Sequence, residues 1–374
     1  MQLKPIVVCG LLSAASLAAG QTIGSLFKVN LDNDEAGGCS ERSTLLAQYL
    51  QESKDLATAG LQAITHAQDS SAAQHDVAKR YLRAYFGVGE NDATALALIK
   101  GSLQKVSNFL SGTTLDNTPR LYCNDNWLKK RARTDIARDI EGNDIWTMDD
   151  NGQQHLLAIE NCDQYRHLFW DYDEDQMIWI KNERIPYWSA DLGQYLVDDD
   201  YDGQTFCTVA RGANMGTTQH MTTPPTITLC QGSFSEPGYS VKLGSKSPLV
   251  GQRGGRKLTD VLPRSATLYH ELFHLVLGND PTPDVTYLWV RQQLLLENPD
   301  EIITEAYKDK YDEIEILPTS IYGMTRADAI RHNPESYVFF SVGYWYFMQT
   351  TWSNGDNSQR WSFHSGVSQM VQIP

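Results

Sequence analysis

The chain has 374 residues, of which 41% are apolar and 21% charged. That is a globular balance, long enough for a substantial core and unlike a disordered, collagen-like or small disulfide-scaffold sequence. Its formal net charge of −15, with 31 Lys and Arg against 46 Asp and Glu and no basic block, argues against binding to a nucleic-acid backbone.

Residues 1–20 read as a signal peptide. Lys4 supplies the positive start, Ile6 to Leu17 is mostly apolar, and Ala18-Ala19-Gly20 offers small residues for cleavage. The remainder, 21–374, is expected to be a single secreted domain with no membrane partner, since no later apolar run is long enough to span a bilayer. Five cysteines remain after that segment, Cys39, Cys123, Cys162, Cys207 and Cys230, which in an oxidising compartment allow two disulfides and one leftover thiol.

Residues 21–38 are polar and Gly-rich and read as a loose lead-in. Ser40 is placed to cap a helix running to about Ile64, with further helical spacing over 72–86 and 93–110. Residues 124–206 alternate and carry five tryptophans, which predicts strands and loops with most of the aromatics in a core. Loops with short strands such as Thr226–Leu229 are expected over 207–262, a helix over 263–278, and a strongly aromatic helix over 326–350. Two acidic stretches, Asp171/Asp173/Asp175 and Asp198–Gly203, read as solvated loops. The second resembles the start of a calcium loop, but its twelfth position is Val209, which cannot ligate.

The chemistry concentrates at His270-Glu271-Leu272-Phe273-His274, an HExxH motif. On a helix, positions i and i+4 share a face, so both imidazoles can reach one Zn²⁺, with Glu271 beside them as a general base toward the activated water. A catalytic zinc needs a third protein ligand. From spacing, Asp280 (six residues after His274), Asp284 (ten after) and Glu297, Glu301 or Glu305 on a possible helix all qualify. No histidine follows before His332.

The downstream residues carry a resemblance. Thr282, Asp284 and Tyr287 fall at the Thr, Asp and Tyr of the GTxDxxYG pattern of aspzincins, the deuterolysin and peptidyl-Lys metalloendopeptidases secreted by fungi, although both glycines of that pattern are missing. Asn333-Pro334-Glu335-Ser336-Tyr337 matches their Asn-x-x-Ser-Tyr helix, and Cys39, Tyr122-Cys123-Asn124-Asp125 and the strand ending at Cys230 resemble upstream landmarks. The resemblance implies an α+β, zincin-like metalloprotease domain with N-terminal helices, an edge strand over the active helix, and insertions at 126–206 and 288–324. It also implies one Zn²⁺ held by His270, His274 and Asp284, with Glu271 as base and Tyr287 holding the oxyanion; read without the resemblance, Tyr287 is a packing aromatic. By the same match, Cys39 pairs with Cys123 and Cys207 with Cys230, leaving Cys162 alone. The family is made with a long propeptide, for which Gln21 to Cys39 leaves no room, so latency is expected to be managed otherwise or not at all. The function implied is a secreted zinc metalloendopeptidase acting on proteins or peptides as a monomer. The alternative is a secreted binding or effector protein on a decayed zincin scaffold.

Overall fold

The computed structural model describes residues 21–89, 92–173, 176–198, 205–208, 214–305, 319–353, 356 and 358–373. Segment 1–20, the acidic loop after Asp198 with Val209, and Asp175 lie outside them. The fold mixes helix and sheet, as expected for an α+β chain. A four-stranded sheet has the order β1 (Lys28–Val29), β2 (Arg120–Tyr122), β11 (Thr226–Leu229), β10 (Gly216–Gln219). The first three strands are parallel, and β10 is an antiparallel edge.

Six helices position the site: α2 (Ser43–Gln68), α3 (His75–Phe86), α4 (Ala93–Leu110), α6 (Ala266–Leu277), α8 (Arg326–His332) and α9 (Pro334–Met348). α6 packs against β10 and β11 on one side and against α2, α4 and α9 on the other. One hydrophobic cluster runs through these helices and the sheet. α4 starts where the sequence puts it because the Asp92 carboxylate accepts from the Ala95 N–H at 3.0 Å. α2 starts later than expected. The Ser40 hydroxyl donates to Asp34 instead of capping, and a short 3₁₀ turn, Ser40–Arg42, precedes the helix.

The lead-in is ordered, contrary to expectation. Ile23, Leu26 and Phe27 are buried, Phe27 meets Phe109 edge-to-face at 5.3 Å, and β1 joins the sheet. Three apolar residues at i, i+3 and i+4 are too short a pattern to stand out among polar neighbours. The aromatic C-terminal segment is also two helices, α8 and α9, rather than one. The break falls at Asn333-Pro334: the ring of Pro334 disfavours helical backbone at the residue before it, and Asn333 is extended at φ −72°, ψ 117°.

The 126–206 region builds a sheet of its own, in the order β3 (Leu128–Lys130), β8 (Ile185–Ser189), β9 (Gln194–Asp198). It adds the hairpins β4 (Trp146–Met148)/β5 (Gln154–Leu156) and β6 (Trp170–Asp173)/β7 (Ile178–Lys181). Trp127 stacks on Tyr122 at 4.3 Å, and Asp191 receives both the Tyr122 hydroxyl and the Arg120 guanidinium, which ties the region to β2. Its tryptophans divide: Trp127 and Trp188 are core, whereas Trp146, Trp170 and Trp179 are exposed.

The cysteines pair as Cys39–Cys123 and Cys207–Cys230, and Cys162 is a buried free thiol. Non-reducing peptide mapping should recover those two cross-links alone, and iodoacetamide should label Cys162 only after denaturation. Labelling of Cys162 in the folded chain, or a bond from it to Cys123, contradicts this arrangement.

Candidate metal centre

α6 is buried on every side from Ala266 to Leu275. A helix so enclosed is expected to be apolar all round, as Leu268, Leu272, Phe273 and Leu275 are. Apart from Thr267 and the Tyr269 hydroxyl, the exceptions are His270, Glu271 and His274, and each has a specific partner. The helix ends at Gly278, whose φ of +94° is unfavourable for residues with a Cβ. The chain then doubles back through Thr282 to Asp284.

That turn brings three donors to one point. His270 Nε2 lies 3.1 Å from His274 Nε2 and 3.1 Å from Asp284 Oδ1, and His274 Nε2 lies 3.2 Å from the same oxygen. The far side of each ring sets its tautomer. His270 Nδ1 faces the Glu335 carboxylate at 3.1 Å, an acceptor, so Nδ1 carries the proton. His274 Nδ1 faces the Thr282 hydroxyl at 2.9 Å, and that hydroxyl donates to the Gly278 carbonyl, so Nδ1 is again the donor. When the rings are neutral, both Nε2 atoms therefore point lone pairs at the carboxylate oxygen. Three acceptors at this separation repel unless a cation sits among them.

The arrangement could hold a metal ion. Ligands 2.0–2.1 Å from one tetrahedral ion lie about 3.3 Å apart, close to the observed spacing. Two imidazole nitrogens and one carboxylate oxygen suit a borderline transition ion better than calcium or magnesium, which want more oxygens. In the metal-free chain the same field acts on protons. Burial by itself pulls His270 down, but Asp284, Glu335 and Glu271 outweigh it and hold the imidazole well above its ordinary value. Burial alone would lift Asp284, yet the two histidines hold it well below the usual carboxylate range.

Glu271 points from α6 toward β10, where the Thr218 hydroxyl donates to its Oε2 at 2.8 Å. Gly216 permits that approach, since a Cβ there would stand 2.9 Å from Glu271 Oε1. Burial raises the Glu271 carboxyl, against an opposing pull from the two histidines. Tyr287 is half-exposed, with its ring 5.7 Å from that of His270. Local burial and a hydrogen bond to Asp284 push its phenol far up, so it stays protonated.

The triad opens on a cleft of about 890 Å³ lined by Glu271, His274, Asp284, Tyr287 and the β10 edge, with Leu168 and Arg184 on the opposite wall. Of the candidate third ligands, Asp284 joins the histidines. Asp280 is at the cleft but outside the cluster. Glu297, Glu301 and Glu305 do not form the expected helical row, because α7 (Trp289–Leu296) ends before them, and Glu301 pairs with Arg326 at 3.2 Å. A larger hollow of about 1110 Å³ beside α3 includes Glu297 in its lining but neither histidine and neither aspartate of the site.

Sequence reasoning assigned no role to several residues that hold the site. Glu335 orients His270 from the first turn of α9. Asn333 receives the Val285 N–H and donates to the Thr286 carbonyl, which fixes the backbone just after Asp284. Asn279 donates to the Thr218 carbonyl, and His220 Nε2 donates to the His274 carbonyl. The one available signal was an acid, Glu335, in an otherwise apolar aromatic helix.

Comparison of the chain with protein-family models, with curated proteins and with solved structures gives no match.

Two outcomes follow from this geometry. Glu335→Ala leaves the His270 Nδ1–H without its acceptor and should weaken metal affinity by about 10–100-fold in a chelator competition assay. Because burial raises the Glu271 carboxyl, the folded chain holds that proton more tightly than the unfolded one. Stability then falls as pH rises from the unfolded value of about 4.3 through the raised one. In the metal-free chain Glu271→Gln should therefore raise the thermal midpoint at about pH 7 and leave it nearly unchanged at about pH 4.

Proposed function

We propose that this chain is a secreted zinc-dependent metalloendopeptidase of aspzincin type, on a zincin-like catalytic domain, acting on protein or peptide substrates. The observation that carries the reading is the convergence of His270 Nε2, His274 Nε2 and an Asp284 carboxylate oxygen beside a buried glutamate, in a cleft bordered by an edge strand. Secretion is supported by the signal-like start, the two disulfides and, among the described residues, the absence of any helix long and apolar enough to cross a membrane.

His270, His274 and Asp284 would hold the zinc. When bound, it supplies Lewis acidity toward a scissile carbonyl and toward water. The remaining steps belong to the chain. Glu271, raised by burial and held by Thr218, takes the proton of the attacking water and returns it to the leaving amine. Tyr287, its phenol protonated, donates to the negative charge that develops on the carbonyl oxygen as water adds to the carbonyl carbon. The Cys230 N–H bonds the Met215 carbonyl and Thr217 pairs with Thr228, so by strand alternation the backbone groups of Gly216 and Thr218 turn outward. An extended substrate adds there as a further strand, with the Thr218 carbonyl already engaged by Asn279.

The test is zinc content measured together with casein hydrolysis. His270→Ala should lose both. Glu271→Gln should keep the metal and lose turnover by about 10²–10⁴-fold, since an amide cannot accept the proton. Asp284→Asn should weaken zinc, and Asp280→Asn should not. A Glu271→Gln chain that cleaves casein at the wild-type rate contradicts the peptidase reading. Zinc lost from the Asp280 variant but kept by the Asp284 variant contradicts the ligand set.

A further inference from the structure

The β6/β7 hairpin exposes apolar side chains on both faces. Its register pairs Tyr172 with Trp179 and Trp170 with Lys181, which places Trp170, Tyr172, Trp179 and Lys181 on one face, the Lys181 ammonium being paired with Glu160 at 2.6 Å. The other face carries Asp171 opposite Ile180 and Asp173 opposite Ile178. Trp179 is 62% exposed and Tyr172 48%, with their rings 5.3 Å apart. A two-stranded ribbon bare on both sides is marginally stable in water, and clustered exposed apolar groups mark interaction surfaces. The root of this ribbon is nonetheless fixed. Phe169 is fully buried beneath the Arg133 guanidinium, which also donates to the Arg184 carbonyl at 2.7 Å and to Asn182 Oδ1 at 3.1 Å. The aromatic face is thus presented on a held arm.

Charge selects the partner. Residues 126–206 contain 18 Asp and Glu against eight Lys and Arg, a net charge of −10 out of the −15 of the whole chain. A second copy of the chain or an anionic lipid surface would be repelled by that field, and a neutral glycan would leave it unanswered. A Lys/Arg-rich polypeptide answers both features. Its aliphatic stems cover the tryptophans, and its cations meet the ring faces and the acidic surround. The location gives the partner a role, because Leu168 and Arg184, on either side of the hairpin, line the same cleft as Glu271 and Asp284. The pair Arg184–Asp171, at 3.1 Å, joins the arm to that wall.

We propose that the β6/β7 arm is a docking surface, outside the cleft, for a basic segment of the polypeptide on which the cleft acts. The inference rests on the peptidase reading only for the partner's being a substrate. Binding is therefore measured without turnover, on the full chain carrying Glu271→Gln, with labelled decalysine, labelled decaglutamate and chitohexaose. Decalysine should bind more weakly as salt rises from about 50 to 300 mM. Tyr172→Ser with Trp179→Ser should weaken it by about tenfold, with Trp170→Ser as an independent lesion on the same face. In the active chain the same substitutions should raise KM for a peptide with basic flanks, with kcat unchanged, and leave the same peptide without flanks unaffected. Absence of decalysine binding, binding indifferent to all three substitutions, or preference for decaglutamate or chitohexaose overturns the proposal. A chain that binds decalysine as expected but hydrolyses nothing overturns the peptidase reading and leaves the docking surface standing.

Discussion

Three atoms able to ligate a metal, two imidazole Nε2 and one carboxylate oxygen, are pinned within 3.2 Å of one another, and the local structure is organised around the repulsion they would feel with neither a proton nor a cation between them. Each histidine is turned inward by an acceptor behind it, and Asp284 is held in place by the loop that carries it. Such a cluster is unfavourable without a positive charge, which is why His270 in the metal-free chain holds its proton so firmly. A divalent ion placed among the three atoms would answer the same field.

The positioning is distributed over elements far apart in the chain. α6 supplies the imidazoles, α9 supplies Glu335, and the residue between α8 and α9, Asn333, fixes the backbone after Asp284. α9 is nearly all buried and apolar, so Glu335 sits on a rigid support rather than a loop. β10 closes the other side, with Thr218 on the Glu271 carboxylate and Gly216 small enough to let it pass. A carboxylate held between a hydroxyl and a close backbone has little freedom left to lose, which is what the proposed general-base role asks of it.

What the sequence made legible follows from the range of the interactions. The two histidines and Glu271 share one helical turn and its neighbour, so spacing alone placed them together. Asp284 lies beyond a turn whose path no periodicity describes, so spacing alone does not separate it from Asp280. Glu335 acts across 65 residues, a separation that no local pattern spans. The long helices were readable from their apolar stripes, whereas Ile23, Leu26 and Phe27 were too few to reveal that the lead-in is part of the core. The tryptophans of 126–206 show the same limit. Composition gives their number, but only the strand register separates Trp188, which packs inside, from Trp179, which faces water.

The acidic region carrying that exposed face accounts for most of the net charge, while the helical core and sheet are close to balanced. The two parts meet at the cleft, so the proposed metal chemistry and the proposed selection of a partner are separable. The donors are the central claim, and X-ray absorption at the zinc edge tests them most directly. The account expects one zinc per chain, nitrogen and oxygen ligands at about 2.0–2.1 Å, and the outer-shell scattering of two imidazoles. A sulfur ligand at about 2.3 Å, a shell without imidazole scattering, or a chain that takes up no zinc would contradict it.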